Sequence, residues 1–276
     1  MDVRAVLARW QLQPSKGLGQ NFLVDESVAE RIVAAAELSA ADEVLEIGPG
    51  LGMLTQKLAR TAGRVVAVEL DQRLLPALRA ALTGCDTVKV VQGDILALDP
   101  AELISAESAS YKVVANLPYY ITSAVLRHLL EASLKPKRLI LTVQREVAES
   151  IVARPDDMSL LAVSVQFYGQ PRVLFRIRPG SFYPAPSVES AVLQIDVHTQ
   201  PPVDGADEAR FFRVVRAGFS QRRKQLRNAL AAGLGLPPDS VAEHLRRAGV
   251  QPSRRAQTLT LAEWGQVARI FGEEIS

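Results

Sequence analysis

Glu43-Val44-Leu45-Glu46-Ile47 runs into Gly48-Pro49-Gly50-Leu51-Gly52, and residues 53–60 then read as a helix. An apolar strand ending in alternating glycines that open a helix can bring backbone close to a ligand over the strand's carboxyl end. Such a unit belongs in a mostly parallel sheet with helices on its faces. The alternation continues, predicting strands at residues 43–47, 64–69, 88–91, 112–115, 138–143, 172–177 and 191–195. Between the last two lies Arg178-Pro179-Gly180-Ser181-Phe182-Tyr183-Pro184-Ala185-Pro186, too proline-rich for a helix. They are therefore expected as an antiparallel closing pair at a sheet edge, which the plain dinucleotide fold lacks.

Residues 196–208 contain Pro201-Pro202, Gly205 and several acids with little periodicity, and read as a linker. Beyond it the pattern is only helical, with Phe211, Phe212, Val215 and Phe219, then Leu226 and Leu230, at steps of three to four. Two domains are expected, 1–198 and 199–276.

At the start of the chain, Val3, Val6, Leu7 and Trp10 recur at helical spacing, so a docked amphipathic helix is expected there rather than a targeting peptide. No apolar run approaches 18 residues, and the expected location is the cytoplasm. Cys85 is the only cysteine, and His128, His198 and His244 lie far apart, so neither a disulfide nor a metal site is expected. Net charge is +2, but residues 210–227 hold seven basic residues and no acidic one, and residues 201–276 carry +4. A basic tail on a near-neutral body points to a polyanionic partner.

The dinucleotide fingerprint needs a third glycine where Met53 stands, so a pyrophosphate is not expected. The E-x-G-x-G-x-G spacing instead resembles the first motif of S-adenosylmethionine-dependent methyltransferases. Glu69 closes the second strand 21 residues after Gly48, where a carboxylate can accept both ribose hydroxyls. Asp94, after the third strand, is placed for an adenine amino group, although capping a turn is a common use of aspartate.

Asn116-Leu117-Pro118-Tyr119 ends the fourth strand and carries the expected chemistry. An adenine amino group is a poor nucleophile because its lone pair is spread into the ring. The Asn116 side-chain oxygen and the Leu117 carbonyl, held by Pro118, can accept its two hydrogens and free that pair. Tyr119 can stack on the base and Phe182 can close its other face. A β-turn with Tyr119 as packing is the structural alternative.

Taken in order, Gly19-Gln20-Asn21-Phe22-Leu23, the glycine turn, Glu69, Gly93-Asp94, Asn116-Leu117-Pro118-Tyr119, Gln144-Arg145-Glu146-Val147-Ala148, Phe182-x-Pro184-x-Pro186-x-Val188-x-Ser190 and Arg222-Arg223-Lys224-Gln225-Leu226-Arg227-Asn228 resemble the ribosomal RNA adenine N6,N6-dimethyltransferase family, closest to its bacterial small-subunit (16S) branch. The resemblance implies an α/β, Rossmann-like, seven-stranded methyltransferase domain with a small all-helical C-terminal domain for RNA recognition. It implies S-adenosyl-L-methionine as methyl donor and two adjacent adenosines in the 3′-terminal hairpin of small-subunit rRNA, within a pre-ribosomal particle, as substrate of a monomeric enzyme. The cofactor contacts implied are Asn21, Leu23, Gly48, Gly50, Gly52, Glu69, Asp94 and Asn116, and the RNA contacts Arg222, Arg223, Lys224 and Arg227. Residues 154–161 depart from the family's usual Gly- and Tyr-containing loop.

Three other readings compete. A large-subunit methyltransferase of the macrolide-resistance type shares the catalytic motifs, but the Arg222 to Asn228 signature and the helical tail argue against it. A non-enzymatic nucleic-acid-binding relative would not need the intact glycine turn, Glu69 and Asn116. A nicotinamide-linked oxidoreductase is disfavoured by Met53.

Overall fold

The computed structural model describes residues 1–105, 111–200 and 207–272. Seven strands form one sheet: β2 (Glu43–Ile47), β3 (Arg64–Glu69), β4 (Val88–Gln92), β5 (Tyr111–Asn116), β6 (Arg138–Gln144), β7 (Gly169–Ile177) and β9 (Ser190–Val197). Two further strands, β1 (Phe22–Leu23) and β8 (Phe182–Tyr183), pair with each other. The order across the sheet is β4-β3-β2-β5-β6-β9-β7. Pairs among β2, β3, β4, β5 and β6 are parallel, and β9 runs antiparallel to β6 with β7 at the edge beyond it. All seven expected strands form. The closing strand β9 inserts between β6 and β7, and β1 with β8 is an addition that two residues of pattern could not announce.

Strand β2 lies inside the sheet between β3 and β5, and every one of its residues is buried, Glu43 and Glu46 included. Its register brings Glu43 opposite both Arg64 and Tyr111 and Ile47 opposite Val68 and Ala115. The carboxyl ends of β2, β3, β4 and β5 thereby finish together, which gathers the glycine turn, Glu69, Gly93-Asp94 and Asn116. At the start of the chain, Asp2 caps the helix Val3–Arg9 and Val3 and Leu7 are buried, while Trp10 remains 38% exposed. Each fully buried Leu or Val contributes roughly 1.5 to 3 kcal/mol relative to exposure.

The chain divides into two compact units, residues 1–148 with 171–197 and residues 149–170 with 198–276. The single cut expected at 198/199 therefore misses an excursion. Residues 149–170, including the helix Leu160–Tyr168, group with the C-terminal helices because Phe167 stacks on Phe211 at 4.6 Å and Tyr168 on Phe212 at 5.7 Å. Those two phenylalanines lie on the helix Glu208–Phe219, capped by Asp207. The linker expected over 196–208 begins inside β9, and residues 201–206 lie outside the described residues.

Candidate active site

A cleft opens over the carboxyl ends of β2, β3, β4 and β5, walled by Gly48, Gly50, Glu69, Asp94, Asn116 and Tyr119. Asn21, Leu117 and Pro118 also line it. The N–H groups of Gly48, Gly50 and Gly52 are all taken, by Val68 O at 2.9 Å, Glu69 Oε2 at 3.0 Å and Pro49 O at 2.9 Å. A turn with those donors spent is no phosphate cradle, which agrees with the missing third glycine.

Glu69 is 5% exposed and accepts from Gly50 N through Oε2 and from Asp71 N through Oε1 at 2.8 Å. Burial pushes its carboxyl above the usual range, and the N–H groups of Asp71 and Gly50 offset part of that rise. Two hydrogen bonds leave lone pairs on both oxygens, so the carboxylate can hold the glycine turn and still accept ligand hydroxyls. Asp94 caps the turn Ile95–Ala97 through Oδ1 to Leu96 N at 2.9 Å, and its second oxygen has no partner among the described residues. Turn capping thus leaves Asp94 an oxygen open to a ligand.

Asn116 donates Nδ2 to the Asn21 carbonyl at 3.0 Å. That bond orients the amide and leaves Oδ1 as an unspent acceptor on the cleft wall. Leu117 donates its N–H to Thr142 O at 3.2 Å, while its carbonyl takes no donor among the described residues. The Tyr119 hydroxyl shares a 2.7 Å hydrogen bond with the buried Ser190 Oγ, and burial raises its pKa. The hydroxyl therefore anchors the ring, and the ring face is what remains for a base.

Three expected residues lie away from the cleft wall. Phe182 is 4% exposed, paired with Leu23 and sunk in the core with Val3 and Phe22. Leu23, 5% exposed, packs in the same cluster. Gly52 caps the helix Met53–Leu58, and a Cβ there would sit 3.1 Å from Leu78 Cδ1, so its smallness serves helix packing.

The sequence reading missed several residues. Glu46 is 1% exposed, with both carboxylate oxygens unpartnered, beside a small cavity under the turn that Gly48, Gly50 and Asn116 also line. Burial pushes its carboxyl up to about 8, Glu69 adds to the rise, and the Thr55 hydroxyl moderates it without completing a hydrogen bond. The signal was the glutamate that opens the E-x-G-x-G-x-G spacing. Leu70, 48% exposed, and Ile95 supply apolar wall, and Gln20 ties the cleft's lip to Asp71 at 2.9 Å.

These groups fit S-adenosylmethionine. A buried carboxylate suits its ribose hydroxyls, and a half-spent aspartate with apolar walls its adenine. Residues 12–273 match the family described as ribosomal RNA adenine dimethylase. The chain belongs to that family. It is an rRNA adenine dimethyltransferase that draws its methyl groups from S-adenosylmethionine, and rRNA is its substrate. Similar proteins include the ribosomal RNA small subunit methyltransferase A of Dehalococcoides mccartyi, 45% identical over 99% of this chain and 93% of that protein. The protein of the same name from Moorella thermoacetica is 45% identical over 94% of this chain and 92% of its own length. Among solved structures, 23S rRNA methyltransferase ErmE shares 28% identity at a TM-score of 0.71, covering 91% of this chain and all of that one. A dimethyladenosine transferase from Plasmodium falciparum shares the fold at a TM-score of 0.78 and 22% identity, covering 91% of this chain and 98% of its own.

In the helical unit, Arg222, Arg223 and Lys224 are exposed in the turn between the helices Glu208–Phe219 and Leu226–Leu234, without an acidic partner among the described residues. Arg227 is half-buried and donates Nε to Asn228 Oδ1 at 3.4 Å. No group of acids, histidines or cysteines among the described residues is arranged to hold a metal, and no described helix is long and apolar enough to cross a membrane.

Proposed function

We propose that this dimethyltransferase acts in the cytoplasm, as a monomer, on the small ribosomal subunit during its assembly. It converts two adjacent adenosines of the 3′-terminal rRNA hairpin to N6,N6-dimethyladenosine. The observation that carries the chemistry is the Asn116 amide, pinned through Nδ2 so that Oδ1 stays free at the cleft wall. Bound S-adenosylmethionine supplies an electrophilic methyl group on a sulfonium. Asn116 Oδ1 and the Leu117 carbonyl accept the two amino hydrogens, which localises the nitrogen lone pair. Tyr119, anchored by Ser190, offers a stacking face that fixes the ring plane. No strong base is needed, because the amine becomes acidic once alkylated and its proton leaves to water. The rate then rests on placement and on hydrogen bonds that strengthen in the transition state.

Asn21, Gly48, Gly50, Glu69, Asp94 and Asn116 form the cofactor wall in this reading. Leu23, Phe182 and Gly52 act by packing behind that wall. Arg222, Arg223 and Lys224 contact RNA phosphates, with Arg227 supporting their turn. Small-subunit rRNA is preferred to large-subunit rRNA because relatives at 45% identity over nearly full length carry the small-subunit name, whereas the large-subunit enzyme is similar at 28%. Incubation with labelled S-adenosylmethionine and each unmethylated ribosomal subunit, followed by mapping of the label, tests this. Label on two neighbouring adenosines near the 3′ end of small-subunit rRNA is expected, and label on large-subunit rRNA overturns it.

A further inference from the structure

A second groove adjoins the cleft. Arg4, Lys16, Tyr183, Pro184 and Pro186 line it, and it shares Gly19, Gln20, Asn21 and Tyr119 with the cofactor cleft. Arg4 and Lys16 are exposed, neither has an ion-pair partner among the described residues, and no acid lines the groove. The Arg4 guanidinium lies 4.8 Å from the centroid of the Tyr183 ring. On these observations we propose that this groove is a subsite for the nucleotide next to the target adenosine, with Tyr183 stacking its base and Arg4 and Lys16 pairing with the flanking phosphates.

The inference rests on the proposed function and deepens it. A base presented to Asn116 and Tyr119 leaves its neighbour one step along the strand, and the groove begins at Tyr119. A cation beside an aromatic ring in a concave, acid-free wall is the combination that holds single-stranded nucleic acid: backbone by charge, base by stacking. Proline has no backbone N–H to offer and a fixed φ, so Pro184 and Pro186 make a rigid apolar rim for a base. The position also explains why Phe182 is not the second ring at the site. In β8 Phe182 is buried in the core, while the half-buried Tyr183 packs against that core and also lines the groove. Because the strand has a direction, the groove takes the neighbour on one fixed side, so the second adenosine occupies it during one of the two modifications and the next nucleotide along does so during the other.

The test uses full-length protein and unmethylated small ribosomal subunits. Arg4→Gln with Lys16→Gln should raise the subunit concentration for half-maximal single-turnover rate about 10-fold at physiological salt. It should reduce the log-affinity against log-salt slope by about 1.4, the counterion release of two contacts on a single strand. Cofactor affinity should be unchanged, because neither side chain lines the cofactor cleft. Ultraviolet cross-linking of the wild type should join the Tyr183 peptide to rRNA beside the methylated adenosines. Wild-type affinity and slope in the double variant, or Tyr183 cross-links only to ribosomal protein, overturn the subsite. If wild-type protein places no methyl on small-subunit rRNA, the underlying proposed function fails instead.

Discussion

Asn116 and Glu69 both line the cleft over the strand ends, but they are held differently and should fail differently when changed. Asn116 spends one donor on Asn21 and nothing on its own oxygen, so in the proposed reaction Asn116→Ala removes an acceptor used in the transition state. Turnover should fall roughly 100- to 1,000-fold, the scale for deleting one preorganised hydrogen bond, while cofactor affinity falls much less. Single-turnover methylation set against titration calorimetry separates the two effects. Glu69→Ala removes a carboxylate that also secures Gly50 and Asp71. Cofactor affinity should drop roughly 10- to 150-fold, from 1.5 to 3 kcal/mol for hydrogen bonds to a charged group, and an unchanged dissociation constant in calorimetry removes Glu69 from the site. Glu46 behaves as a proton-linked group. Its carboxyl, raised to about 8 in the fold, holds a proton that the unfolded chain loses near its ordinary value, so folded stability falls as pH rises from about 4.5 to about 8. Glu46→Gln removes that slope. The variant should melt above wild type at pH 8 and close to it at pH 5, and parallel melting-temperature profiles would place an ionised, compensated Glu46 in the native protein.

Strands with strong β-branched runs were legible because a buried parallel strand needs an apolar middle, and β3, β5 and β6 each carry one between polar ends. The glycine turn was legible for a related reason: Gly50 holds φ at 59°, and a Cβ there would lie 3.1 Å from the Phe22 ring. β1 and β8 were not legible, since two residues carry no period, and that gap misplaced Phe182. Asn116 could be read as chemical from its strand-end position, whereas Ser190, which anchors Tyr119 from a strand 71 residues away, depends on a contact that only folding makes. Close helix packing was hidden in the same way. A Cβ on Gly218 would fall 2.4 Å from Trp264 Cη2, so two helices meet there through a missing side chain. Gly218→Ala forces the buried indole to move and should cost about 1 to 3 kcal/mol, read as a lower urea midpoint for the helical unit's signal. An unchanged midpoint would mean that Trp264 yields freely.

Charge describes this molecule poorly when summed over whole units. Residues 149–170 with 198–276 carry only +2 in total, because Glu149, Asp156 and Asp157 join the basic C-terminal stretch, while the sheet unit is neutral. Attraction for RNA must therefore come from local arrangement, and we propose the turn at Arg222, Arg223 and Lys224 as its source in the helical unit. Three consecutive residues of a turn cannot all face a core, and here all three are exposed without a carboxylate partner among the described residues. A charge run that only kept the helices hydrated would leave RNA affinity and its salt response unchanged when neutralised. Phosphate contacts release counterions, so the triple variant Arg222→Gln, Arg223→Gln, Lys224→Gln should bind unmethylated small subunits more weakly. Its log-affinity against log-salt slope should be smaller in magnitude by roughly 1.5 to 3 units. S-adenosylmethionine affinity should match wild type, because these residues belong to a unit that contributes nothing to the cofactor cleft. A salt series for both proteins decides it. Parallel lines of equal affinity would assign the turn a solvating role and leave the RNA to be gripped by other cations, beginning with Arg4 and Lys16.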